Sequence, residues 1–190
     1  HHNAQVHIVT NVEAGEITEG VVNLNAGGLR ALARLEDRGT QMSGDLAWQL
    51  STPAEGMGGK AKKITQSYDD TPTFVIPAGD YELTLKSGTA ETTVATSVTP
   101  GQVTELEVVI SVGRIEVAVV DEDGKSDFDK KPKCQIMTSA DGAFGAKPKR
   151  VSQFSGTTGE AILASGAYTV DCQTEDREGT ADAEVQSGDV

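Results

Sequence analysis

The chain has 190 residues and carries 16 Lys and Arg against 29 Asp and Glu, a net charge of -13. That balance excludes nucleic acid as a partner, because phosphate binding needs a basic surface that releases counterions, and it disfavours an anionic membrane on the same ground. No apolar run approaches the ~20 residues that cross a bilayer, and no charged-then-apolar leader opens the sequence.

In chain order, His1 and His2 read as the end of a purification tag. From Ala4 the sequence AQVHIVTNVEAGEITEGVVNLNAGGLRALA overlays AETTVATSVTPGQVTELEVVISVGRIEVAV from Ala90, with identities at Ala4, Thr10, Val12, Gly15, Thr18, Glu19, Val22 and Gly27. A fixed period of this kind marks tandem units. Residues 1–26 are therefore expected to be the last two strands of an upstream repeat, 27–112 a whole repeat, and 113–190 a repeat without its closing strand. Truncation and a strand lent by a neighbour through β-augmentation, such as residues 17–26, both account for that missing strand.

GLRALARLEDRG from Gly28 can be drawn as a short helix, but its match to the β-branched GRIEVAVVDEDG argues for a strand in both copies. EDRG, SYDDTP, PAGD, DEDGK and ASGA supply turn chemistry between apolar stretches. Tyr81, Leu83 and Leu85 alternate with Glu82, Thr84 and Lys86, the period-two pattern of a strand with one buried face. FVIPAGDYELTL from Phe74 matches AILASGAYTVDC from Ala161, pairing Gly79 with Gly166 and Tyr81 with Tyr168. VEAGEI, VTPGQV and VQSGDV form a turn written three times, and Gly113 is expected to be a hinge between domains. With aromatics at 4%, the cores must be built mainly from Val, Ile, Leu and Ala. The fold class expected is all-β, a tandem array of antiparallel β-sandwiches.

TPTFVIPAGDYELTLKSG followed by TTVATSVTPGQVTELEVVI resembles the carboxypeptidase-regulatory-like and CnaB-like repeats of bacterial surface and exported proteins. The resemblance implies transthyretin-like or immunoglobulin-like sandwiches of about seven strands and says little about function. CnaB domains often cross-link a first-strand Lys to a last-strand Asn. Here the first strands offer Arg30 and Glu116 at matched positions, so no isopeptide bond is expected.

The candidate sites follow from the overlay. Cys134 falls on Trp48 and Cys172 on Leu85, so both cysteines are expected to face one core. A disulfide would contribute ~3 to 4 kcal/mol and imply an oxidising compartment; the alternative is a pair of buried thiols packed as small hydrophobes. Asp121, Asp123, Asp127 and Asp129 resemble part of a calcium loop without the full EF-hand spacing, and a solvated hairpin turn is the competing account. No cofactor other than calcium is suggested by the sequence.

Tyr81 and Tyr168 sit where a sandwich domain carries a tyrosine corner, and Trp48 is expected inside the core. The basic phrase Lys60, Lys62, Lys63 recurs as Lys147, Lys149, Arg150. It is expected to protect an edge strand or to meet the acidic surface of a neighbouring domain or chain. His7 has no nucleophile beside it, and Asp69 with Asp70 lies in a polar turn, so no enzyme is expected. Together these features describe a stalk, spacer or assembly module of a bacterial surface or exported protein, located extracellularly, at the cell surface or in the periplasm. Its partners are other repeats or neighbouring chains, with possible self-assembly; an adhesion or ligand-binding module is the alternative.

Overall fold

A computed structural model describes residues 7–35, 39–54, 59–139 and 148–188. Among these residues there is no helix, as the Thr- and Val-rich, glycine-punctuated sequence leads one to expect. Two compact units form. Unit 1 takes the chain up to Arg34 together with Gln41–Leu85 and Thr92–Val109; unit 2 takes the short stretches Leu35–Thr40 and Lys86–Glu91 and the chain from Ile110 onward.

Unit 1 holds strands β1 (Ala26–Arg34), β2 (Ala47–Ser51), β3 (Lys63–Ser67), β4 (Thr73–Pro77), β5 (Gly79–Ser87), β6 (Ala90–Val98) and β7 (Val103–Val109). They form a sheet of order β4-β1-β7 and a sheet of order β3-β2-β5-β6. Alternation decides which side chains enter the core. Leu29, Ala31 and Ala33 of β1, Leu83 and Leu85 of β5, Phe74 and Ile76 of β4 and Leu50 of β2 are all fully buried. Trp48 joins them at 1% exposure, its indole N–H donating to the Asp69 carbonyl at 3.0 Å.

One pairing departs from the all-antiparallel expectation. β6 and β7 are separated by a four-residue turn but lie in different sheets, and β7 runs parallel to β1 with Gly28 opposite Val103 and Arg34 opposite Val109. On the outer face of this pair, Arg30 meets Glu105 at 3.6 Å and Arg34 meets Glu107 at 3.1 Å.

Unit 2 holds β8 (Val112–Ala118), β9 (Lys133–Thr138), β10 (Arg150–Ser155), β11 (Thr158–Ala164), β12 (Gly166–Gln173) and β13 (Glu178–Val185). Its sheets are β11-β8 and β10-β9-β12-β13. Ile115, Ile136, Leu163, Tyr168, Val170 and Val185 make its core, with Val117, Ala161, Cys172 and Ala183 partly buried against it. Among the described residues, nothing in unit 2 occupies the place that β7 takes in unit 1.

Two expectations are corrected. Gly113 is not a bend: it lies within β8, and a Cβ there would stand 2.1 Å from the Gln186 carbonyl oxygen. Gly27 is in the same situation, 2.2 Å from the Thr99 carbonyl oxygen. Both glycines serve close backbone approach. Residues 7–25, expected as two strands, form none; they are exposed, and strand hydrogen bonds need a partner sheet. Their turn does form. Glu16 N–H donates to the Glu13 carbonyl at 3.3 Å beneath Gly15 at φ 89°, as Gln102 N–H does to Thr99 at 3.3 Å beside Gly101 at φ 71°.

Candidate functional site

The basic phrases lie at matching places in the two units. β3 is an outer strand of the sheet β3-β2-β5-β6 and β10 an outer strand of β10-β9-β12-β13. Lys60, Lys62 and Lys63 lead into β3, and Lys149 and Arg150 into β10, all exposed. Lys147 lies outside the described residues.

The backbone around them repeats as well. Thr52 N–H donates to the Lys62 carbonyl at 2.9 Å while Lys62 N–H donates to the Thr52 hydroxyl at 3.2 Å; Thr138 and Lys149 make the same exchange at 2.9 and 3.1 Å. The register then shifts between Leu50 and Ser51 in unit 1 and between Arg150 and Ser152 in unit 2. A bulge and a run of lysines are two devices that keep an edge from pairing with another sheet.

Cys134 and Cys172 form a disulfide across the directly opposed pair of β9 and β12, with a Cα–Cα distance of 4.1 Å. Tyr81 donates its hydroxyl to the Pro77 carbonyl at 2.7 Å and Tyr168 to the Ala164 carbonyl at 2.7 Å. Each phenol thus ties the start of its strand to the turn before it, where Gly79 and Gly166 both adopt φ 153°. Burial pushes the Tyr81 phenol above its ordinary value.

Three of the four aspartates, Asp121, Asp127 and Asp129, line one shallow hollow. Asp121 is occupied as a turn residue: its Oδ1 accepts the Asp123 N–H at 3.0 Å and the Lys125 N–H at 2.8 Å, over Gly124 at φ 77°. Lys130 and Arg177 line the same hollow, and Lys130 pairs with Glu175. Among the described residues no three His, Cys, Asp or Glu side chains converge as metal ligands.

Asp69 and Asp70 are likewise engaged in turn formation. Ser67 donates to Asp69 Oδ2 at 2.7 Å, and Asp70 accepts the Gly44 N–H at 2.8 Å. His7 is exposed.

One further feature lies along β8. β8 pairs with β11 on one side only, and beside it opens a groove of about 380 Å3 lined by Ile115, Val117, Val119, Ala181 and Ala183.

The fold and these features define an all-β protein with exposed basic residues at two outer strands and one disulfide. No protein-family model matches the chain, and no curated protein matches it. Among solved structures it is similar to the Bacillus anthracis TIE protein, at 15% identity and a TM-score of 0.36, covering 86% of this chain and 32% of that one. It is also similar to a Streptococcal ancillary pilin, at 11% identity and a TM-score of 0.39, covering 89% and 61%. A DUF3823 family protein from Parabacteroides merdae matches at 13% identity and a TM-score of 0.33, covering 85% and 98%. The chain thus spans about a third of the first of these proteins and under two thirds of the second.

Proposed function

We propose that the chain is a non-catalytic structural module, a spacer or assembly unit of a bacterial surface or exported protein, built from two copies of one CnaB-like β-sandwich repeat. One observation carries this reading: the backbone devices of unit 1 recur in unit 2. The tyrosine bond to the preceding turn, the threonine exchange at the edge strand, the bulge and the glycine pressed against a carbonyl all return 86 or 87 positions later. Duplicated scaffolding in which, among the described residues, no three His, Cys, Asp or Glu side chains converge fits a spacer better than chemistry, because a catalytic site needs a nucleophile, base or metal held in mutual geometry.

The disulfide favours an oxidising compartment, hence the periplasm or cell exterior. The basic phrases act in this reading as edge protection. A spacer of this kind yields under tension in discrete steps, one per repeat, and single-molecule extension is the experiment that tests it. A trace that lengthens smoothly, with no step, would overturn the reading.

A further inference from the structure

We propose that β6 is a self-pairing edge: the β6 strands of two copies of this chain join antiparallel about a twofold axis at Ala95, making one sheet from two. This pairing goes beyond the structural-module reading, adding a mode of self-association built from unit 1 alone. β6 ends the sheet β3-β2-β5-β6, and among the described residues no strand lies on its far side, although β1 to β7 are all in place. Outer strands are ordinarily guarded against pairing, and the other outer strands of unit 1 are. β3 carries Lys63 and a register shift against β2, β4 is five residues long and ends on Pro77, and β7 presents Glu105 and Glu107. β6 contains no lysine and no proline. After Glu91, which pairs with Lys86 at 2.9 Å, no charged residue occurs before Glu105. The matching strand of unit 2 shows what a guard at this edge looks like, since Asp182 and Glu184 of β13 stand where β6 has Ala95 and Ser97.

The hairpin that leads into β6 fixes which of its backbone groups face outward. Gly88, at φ 54°, and Thr89 form a two-residue turn, and Thr93 stands opposite Thr84 with their hydroxyls 2.9 Å apart. Backbone groups alternate between the neighbouring strand and the open side, so Thr92, Val94 and Thr96 address β5 while Thr93, Ala95 and Ser97 turn N–H and C=O outward. The Ser97 carbonyl agrees with this direction: it accepts the Thr104 hydroxyl of β7 at 3.3 Å and keeps a second lone pair. With Ala95 on the axis, Ala95 meets its own copy, Thr93 meets Ser97 and Val94 meets Thr96. Small hydroxyl side chains then face each other on one side of the sheet and β-branched ones on the other, with no like charges opposed. A second β6 is the occupant this edge selects, because β3, β7 or β13 in its place would bring Lys63, Glu105 or Asp182 against neutral side chains.

A paired segment from Thr92 to Val98, about 24 Å long, removes on the order of 700 Å2 from water in total, below what a stable dimer needs. The contact is therefore weak and fills only at high protein concentration. Salt strengthens it, because two chains of net charge -13 repel each other while the strands that join them are neutral. A contact made by the basic edge strands with an acidic surface would weaken instead.

The test is cysteine crosslinking of the whole chain, oxidised over a range of protein and salt concentrations. On the axis, the two copies of residue 95 lie about 5.5 Å apart at Cα, within disulfide reach, and Ala95 is exposed, so Ala95→Cys disturbs no core. The expected result is a covalent dimer that increases with protein concentration and with salt. Thr93→Cys alone should give roughly tenfold less, since its copies lie about 14 Å apart, whereas Thr93→Cys mixed with Ser97→Cys should restore the dimer. Adding Ser97→Lys to the Ala95→Cys chain should cut the dimer about tenfold, while the buried Trp48 shows by fluorescence that unit 1 is still folded. Equal yields from Ala95→Cys, Thr93→Cys and Gln66→Cys on the exposed face of β3, or a dimer that salt weakens, overturn self-pairing. A chain that gives no dimer yet unfolds in two steps under tension sinks self-pairing alone and leaves the structural-module reading standing.

Discussion

Reducing the Cys134–Cys172 disulfide should remove most of the stability of unit 2. The bond joins residues 38 apart, and the chain-entropy relation for a loop of that length gives about 4 kcal/mol. A domain of this size is worth roughly 4 to 12 kcal/mol in all, and unit 2 is poorly placed within that range. In unit 2 Val112, Cys134, Ile136 and Leu163 are at or below 1% exposure, Cys134 being one half of the staple itself, whereas unit 1 buries Leu29, Leu50, Phe74, Ile76, Leu83 and Leu85 completely. The assay is native-state amide exchange on β9 and β12, comparing the oxidised protein with protein reduced and alkylated at both cysteines. Trp48, the sole tryptophan, reports unit 1 by fluorescence in the same samples. A loss of about 4 kcal/mol in the protection of Ile136 and Val170 is expected. A loss below about 1 kcal/mol would refute the claim that unit 2 needs the staple.

Gly113→Ala should destabilise unit 2 by about 3 kcal/mol, because the new methyl would meet the Gln186 carbonyl at 2.1 Å and backbone cannot give way cheaply; urea unfolding checks it, and a neutral result would restore a hinge role. Tyr81→Phe should cost about 1 kcal/mol near neutral pH through the lost bond to Pro77. Because burial raises the Tyr81 phenol above 10.0, the folded chain keeps a proton that the unfolded chain releases. That contribution is whole below pH 10 and is lost as pH climbs through the raised folded value, so a pH series of melts should flatten above pH 10 in the phenylalanine variant. Changing Lys60, Lys62 and Lys63 together to Thr should leave the melting temperature nearly unchanged but produce aggregation visible by light scattering, whereas changing them to Glu should leave a monomer. If the wild-type chain instead forms oligomers that salt dissolves and the Glu variant abolishes, the basic strand is an assembly contact.

Much of this fold was written in short-range signals. Tyr81, Leu83 and Leu85 alternate because a half-buried strand must, and the overlay of Cys134 on Trp48 and Cys172 on Leu85 points both cysteines toward one core. The lysines of KAKKITQS and KPKRVSQF pointed to sheet edges, which is where β3 and β10 lie. What stayed illegible depends on distant partners. The parallel seating of β7 on β1 is a choice of sheet made after a turn, and period-two alternation is the same in either direction. Gly113 was misread because a glycine that admits a carbonyl and a glycine that permits a bend look alike in sequence. Residues 7–25 carry strand-like residues without a sheet to join. The aspartates of DEDGKSDFD have oxygen ligands in plenty, but Asp121 spends its carboxylate on the turn itself.

The central claim, that two repeated sandwiches act as mechanical units, is tested most directly by stretching single chains in oxidising and reducing buffer. At roughly 3.4 Å per residue, unit 1 should release about 280 Å of chain in one step. Unit 2 should release about 120 Å while its disulfide shields 38 residues and about 250 Å once it is reduced. Two such steps, of which only the shorter lengthens on reduction, are the predicted result. A single undivided step, or an extension without steps that is indifferent to reductant, would contradict the account.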